Sequence, residues 1–188
     1  MRFAPLADEA LDDDQIRMAA IAQRGGPYQA FLRAPLLWQQ LQPLRRYLAQ
    51  GSVLGAMERE AAILTLARHW GSTAAFDGHR ALAIAAGIDP AAIDAIGRGE
   101  AGAPLDDPAA LAAEIADDLL GRHVLSDRLF GRARDLWGER GIVELVALVG
   151  FFTTIALTLN VAGLSGEAPF AGAVDRYSPD DKIEQHRI

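Results

Sequence analysis

The sequence predicts an all-α protein, a bundle of helices without a sheet. Alanine and leucine dominate a chain that is 51% hydrophobic, while β-branched and aromatic residues are modest, a balance that favours helix over strand. No alternating apolar–polar run extends beyond a few residues. Helix start and stop signals recur instead: proline at first turns, Asp or Ser just ahead of apolar runs, and glycine after them.

Residues 1–12 read as extended, and a first helix starts near Asp13 or Asp14. Gly25-Gly26-Pro27 breaks it. Ala34-Pro35 opens a second helix, with proline at its first turn, that runs to about Gln50. Residues 51–55 form a loop. Two helices follow, one carrying Glu60 and one carrying His79, joined by the short break Trp70-Gly71-Ser72 and stopped by Gly87. Asp89-Pro90 caps a short helix to Ile96, and residues 97–106 form a Gly-rich connector. Asp107-Pro108 starts the next helix, to about Gly121, and Ser126 caps another that ends near Gly138. A long helix over 141–162 is last. Residues 57–87 and 126–162 are hairpin-like and pack as a bundle. Residues 1–164 therefore make one all-α domain, and 165–188 a tail that is ordered only if it docks.

Within this frame Glu60 and His79 stand out. Glu60 has Ile63, Leu64 and Ala67 at i+3, i+4 and i+7, so its carboxylate faces inward. His79 is flanked likewise by Ala75, Phe76, Leu82, Ala83 and Ala86. Burying an acid and an imidazole is costly without a partner or a purpose. The pair is either a satisfied core bridge or an acid/base couple at a small-molecule site. His69 lies at the turn beside Trp70. It is either a half-exposed turn histidine or a group that reaches a pocket at the hairpin's end.

Residues 57–87 resemble the carboxymuconolactone decarboxylase family, within the superfamily that also contains the alkyl hydroperoxidase D proteins. The marks are Glu60 near a helix start, the turn ARHWGS over 67–72, Phe76, His79 and the closing ALAIAAG over 81–87. Residues 141–160 are similar to that family's long C-terminal helix, and 25–38 show a weaker likeness. The resemblance implies a bundle of the alkyl hydroperoxidase D-like type, assembled as a homo-oligomer (trimer or hexamer) with sites near subunit contacts. It also implies chemistry with neither cofactor nor metal. Glu60 and His79 would be catalytic, with His69, Trp70 and Phe76 as substrate contacts. The family's named reaction removes CO₂ from a carboxylated butenolide. Where many relatives carry Tyr-Glu-Trp ahead of the histidine, this chain has Ala74-Ala75-Phe76, which widens the pocket and removes polar contacts.

Composition excludes several functions. Without cysteine there is no disulfide, thiolate metal site, iron–sulfur cluster or thiol catalysis. The hydroperoxidase branch works through C-x-x-C, and here those positions hold Ser72 and Ala75. A net charge of −7 offers no basic footprint for nucleic acid. The four histidines show no metal-ligand spacing. The G-x-G-x-x-G match at Gly97, Gly99 and Gly102 follows a helix and leads into Pro104, which makes it a connector and not a dinucleotide loop. Asp77 and Arg80 read as a solvated pair, and His123 as a surface histidine at a helix end.

The N-terminus has no apolar signal region, so a cytoplasmic protein is expected. Residues 142–164 are long enough to span a bilayer. Glu144, Thr153, Thr154, Thr158 and Asn160, with no basic flank after them, favour a buried or interfacial helix and no membrane. The expected function is a cofactor-free decarboxylase or proton-transfer enzyme for a small carboxylated lactone or related acid. The competing class is a non-catalytic oligomeric protein in which Glu60 and His79 bridge helices. An enzyme needs an open cavity at both side chains, whereas packing should seal a bridge.

Overall fold

A computed structural model describes residues 2–21, 27–100, 103–164 and 166. Among them the chain is all helix, with no strand. The order is α1 (Asp13–Ile21), α2 (Tyr28–Phe31), α3 (Pro35–Gln50), α4 (Ala56–His69), α5 (Thr73–Ala86), α6 (Pro90–Arg98), α7 (Asp107–Arg122) and α8 (Asp127–Ala162). A 3₁₀ turn at Asp8–Ala10 interrupts the stretch read as extended, and α2 is too short for periodicity to reveal. Gly25, Gly26, Gly102 and the tail from Glu167 onward lie outside the described residues.

The helix α4 is central. It packs against α5, α6, α7 and α8, while α7 also packs on α8. Sequence explains this position: Ala61, Ala62 and Ala67 are wholly buried beside Ile63, Leu64 and Leu66, and small side chains let neighbours approach from several sides. A layer of α1, α2 and α3 leans on the N-terminal side, with α2 and α3 both touching α8.

The boundaries follow local chemistry. Asp89 and Asp106 accept N-cap hydrogen bonds from Ala91 N–H and Ala109 N–H. Ser126 accepts one from Leu129 N–H. Gly87 ends α5 with φ 102°, its N–H bonded to the Ile84 carbonyl and Ile88 N–H to that of Ala83. The break expected at Gly138 is present: φ 69° and ψ 178° divide α8 into two helical halves. Gly97 and Arg98 complete α6 instead of belonging to the connector.

Among the described residues α8 alone is long and apolar enough to cross a membrane, and half of its most apolar window is buried inside the fold. Its inner face packs on α4, α5 and α7.

Candidate functional site

The hairpin of α4 and α5 brings Glu60 and His79 together. His79 Nδ1 lies 2.7 Å from Glu60 Oε2, and the side chains keep 19% and 13% of their surfaces. The ring of Phe152, from α8, stands edge-to-face against His79 with centroids 5.0 Å apart. Nδ1 is occupied by the carboxylate, so the opposite ring nitrogen, Nε2, points away from Glu60. It has no partner among the described residues.

The other sequence-selected residues do not join this pair. His69 and Trp70 sit at the far end of α4. At 1.5 Å per residue, the nine residues from Glu60 to His69 span about 14 Å. The His69 ring meets Trp70 edge-on at 5.0 Å. Trp70 Nε1–H donates to Thr153 Oγ1 at 3.0 Å, and the Trp70 carbonyl accepts from Asn160 Nδ2 at 2.8 Å. Ser72 Oγ donates to the Ala156 carbonyl at 3.3 Å. The turn is thus tied to α8, in part through Thr153, the neighbour of Phe152. Phe76 is a core side chain, 1% exposed, against Gly97 of α6. Arg80 pairs with Asp94 of α6 at 2.7 Å.

A second polar centre went unrecognised in the sequence. Glu144 of α8 is 5% exposed and fully hydrogen-bonded. Its Oε1 accepts from Tyr47 Oη at 2.5 Å and Arg140 Nε at 2.7 Å. Its Oε2 accepts from Ser52 Oγ and Val53 N–H, both at 2.8 Å. Arg140 Nη2 also reaches the Gly51 carbonyl at 2.9 Å. Burial pushes the Glu144 carboxyl upward, but Tyr47, Arg140, Val53 and Ser52 outweigh it and hold the group down at about 2. The carboxylate therefore stays ionised and fastens α3 and the 51–55 loop to α8. The only advance signal was an acid inside an otherwise apolar helix.

Two cavities lie away from Glu60 and His79. One of about 400 Å³ is lined by Leu44, Tyr47, Arg140, Val143, Glu144 and Ala147 among others. Another of about 350 Å³ lies between α7 and the first half of α8, at Leu111, Arg132 and Leu136. No group of three or more potential metal ligands forms among the described residues. Comparison of the chain with protein-family models, curated proteins and solved structures gives no match.

Proposed function

We propose that the chain is a cofactor-free decarboxylase or proton-transfer enzyme for a small carboxylated lactone or related acid, with Glu60 and His79 as its acid/base pair. The observation that carries this reading is the 2.7 Å contact of His79 Nδ1 with Glu60, in a pair still partly open to solvent. A carboxylate on Nδ1 holds the tautomer that carries its proton there and leaves Nε2 free to exchange one with substrate. In the decarboxylation the bond to the carboxylate carbon breaks and CO₂ departs. The bonding pair moves through the C=C bond into the lactone carbonyl as an enolate. The enolate carbon then takes a proton from Nε2–H of the protonated His79 ring, which Glu60 holds through Nδ1, and water returns that proton to His79. One carboxylate and one proton become CO₂ and a C–H bond. Beyond this geometry, support for the substrate class is the resemblance of residues 57–87 alone.

The competing reading is a structural bridge. It is favoured by Phe152 packed on His79 and by the place of the two cavities described above, neither of which is lined by Glu60 or His79. A panel of carboxylated butenolides and small 3-keto or unsaturated acids separates the two, with CO₂ release and solvent deuterium uptake as readouts. The Glu60→Gln and His79→Asn variants should each lose about 10²-fold or more, and the double variant little beyond either single one. A wild-type protein inert on the whole panel, or a fully active Glu60→Gln, sinks the catalytic reading.

A further inference from the structure

The outer face of α8 carries an uncharged stripe that the fold leaves bare. Val143, Val146, Gly150, Thr154, Leu157 and Val161 recur at an average of 3.6 residues, so they lie in line along the helix for about 27 Å. All six are exposed, and the four hydrocarbon side chains are between 40% and 67% accessible. Thr154 Oγ1 turns back to the Gly150 carbonyl at 3.2 Å, and Thr158 Oγ1 to that of Thr154 at 2.7 Å. The hydroxyls are thereby satisfied within the helix. Among the described residues nothing lies within 4 Å of where a Gly150 Cβ would stand, so the stripe has an open notch near its middle.

We propose that this stripe is the seat of a second copy of the chain, packed α8 against α8 and antiparallel about a two-fold axis near Phe152. The stripe's own order carries the inference. Reversed on itself about that point, Val143 faces Val161, Val146 faces Leu157, and Gly150 faces Thr154. Every bulky residue meets an apolar one, and the notch meets the small side chain. That self-complementarity is what an isologous contact requires. The 400 Å³ cavity between α3 and α8 adjoins Val143, and in this register it lies beside Val161 of the second copy. Leu44 and Tyr47, both well exposed, form its outer wall and widen the contact beyond a single helix.

The exposed side chains supply about one-third to two-thirds of the area that a small interface needs. With roughly 60–120 Å² for a whole aliphatic side chain and 150–250 Å² for an aromatic one, the exposed parts of Leu44, Tyr47, Val143, Val146, Leu157 and Val161 present about 200–400 Å² per copy. A small stable interface needs about 600 Å² per copy, of which roughly two-thirds is apolar in homodimers. Gly150, Ala147 and the methyl of Thr154 supply part of the rest. The stripe has one hydrophobic side only, since half of the most apolar window of α8 is buried in the fold, and that favours a protein partner over a bilayer. The contact is two-fold, so the assembly is even-numbered, a dimer or a hexamer of three dimers, and not a lone trimer.

This inference goes beyond the Glu60–His79 reading and is independent of it, because its readout is mass and not turnover. Sedimentation equilibrium of the full chain should show an even-numbered assembly at about 10–100 μM. Val143→Lys and Val161→Glu, both at outward positions that leave the core intact, should each raise the dissociation constant by about tenfold or more. Combined in one chain they place Lys against Glu twice across the axis, so the double variant should recover most of the lost affinity. A parallel pairing would put Lys against Lys and give no recovery, which overturns the register. A wild-type monomer or trimer, single variants that assemble normally, or wild-type pelleting with phosphatidylcholine vesicles overturns the proposal.

Discussion

Replacing Glu144 by Gln preserves shape while removing the charge and two of the acceptor lone pairs on which α3, the 51–55 loop and α8 converge. If the amide oxygen takes the place of Oε1, the new NH₂ group faces the Val53 N–H, a donor against a donor, while the Ser52 hydroxyl can turn to accept from it. Leaving the Val53 N–H unsatisfied costs about 1–3 kcal/mol, and weakening the charged contact with Arg140 about 1.5–3 kcal/mol. The range for breaking one side of a buried ion pair is about 3–5 kcal/mol. For a chain of this length that corresponds to a fall in Tm of about 6–20 °C. The pH dependence is a sharper check. Folding lowers the Glu144 carboxyl to about 2, so its contribution is fully present above the unfolded value near 4.5 and disappears as pH falls through about 2. The shift corresponds to about 3 kcal/mol at most. The Arg140 side chain is 60% accessible, and solvent screening on that side reduces the figure to about 1–2 kcal/mol. Urea unfolding at pH 7, 4 and 2.5 should therefore show the wild-type advantage over Glu144→Gln narrowing by that amount. A variant within about 0.5 kcal/mol of wild type at pH 7, or a gap that widens in acid, refutes the reasoning.

Gly138→Ala should destabilise by about 1–3 kcal/mol. Its φ of 69° with ψ of 178° is reserved for glycine, and the strain arises in its own backbone because nothing else among the described residues lies within 4 Å. An unchanged Tm in calorimetry would contradict the break in α8. Trp70→Phe removes the bond to Thr153 and should cost about 0.5–1.5 kcal/mol in chemical denaturation. It should leave turnover by the Glu60–His79 pair within about threefold, and a tenfold loss would bring the turn back into the site.

Most of the framework was legible because it is written locally. Pro35, Asp89-Pro90 and Ser126 announce helix starts, while Gly87 and Gly138 announce an end and a break, each through conformations that few other residues satisfy. The inward turn of Glu60 and His79 follows from their apolar neighbours, and the short connection between α4 and α5 leaves an antiparallel hairpin as the way to bring them into contact. Glu144 was visible as an anomaly but not as a centre. Its donors Tyr47, Ser52 and Val53 lie over ninety positions earlier, and no spacing rule reaches that far. The same limit hid Asp94 as the partner of Arg80, since the two meet only once α6 folds against α5.

The Glu144 knot also bears on the order of events in folding. The α4–α5 hairpin closes through contacts some twenty residues apart and faces little loop entropy, so it belongs among the early structure. The knot joins α3 to α8 across more than ninety residues and needs both helices, the intervening loop and the ion pair in place together. A tie of that kind forms after the main barrier. Its strength is then spent on slowing the escape from the native state while leaving the speed of arrival unchanged. On this view the buried carboxylate governs how long the folded molecule lasts, a property set apart from the chemistry proposed for Glu60 and His79.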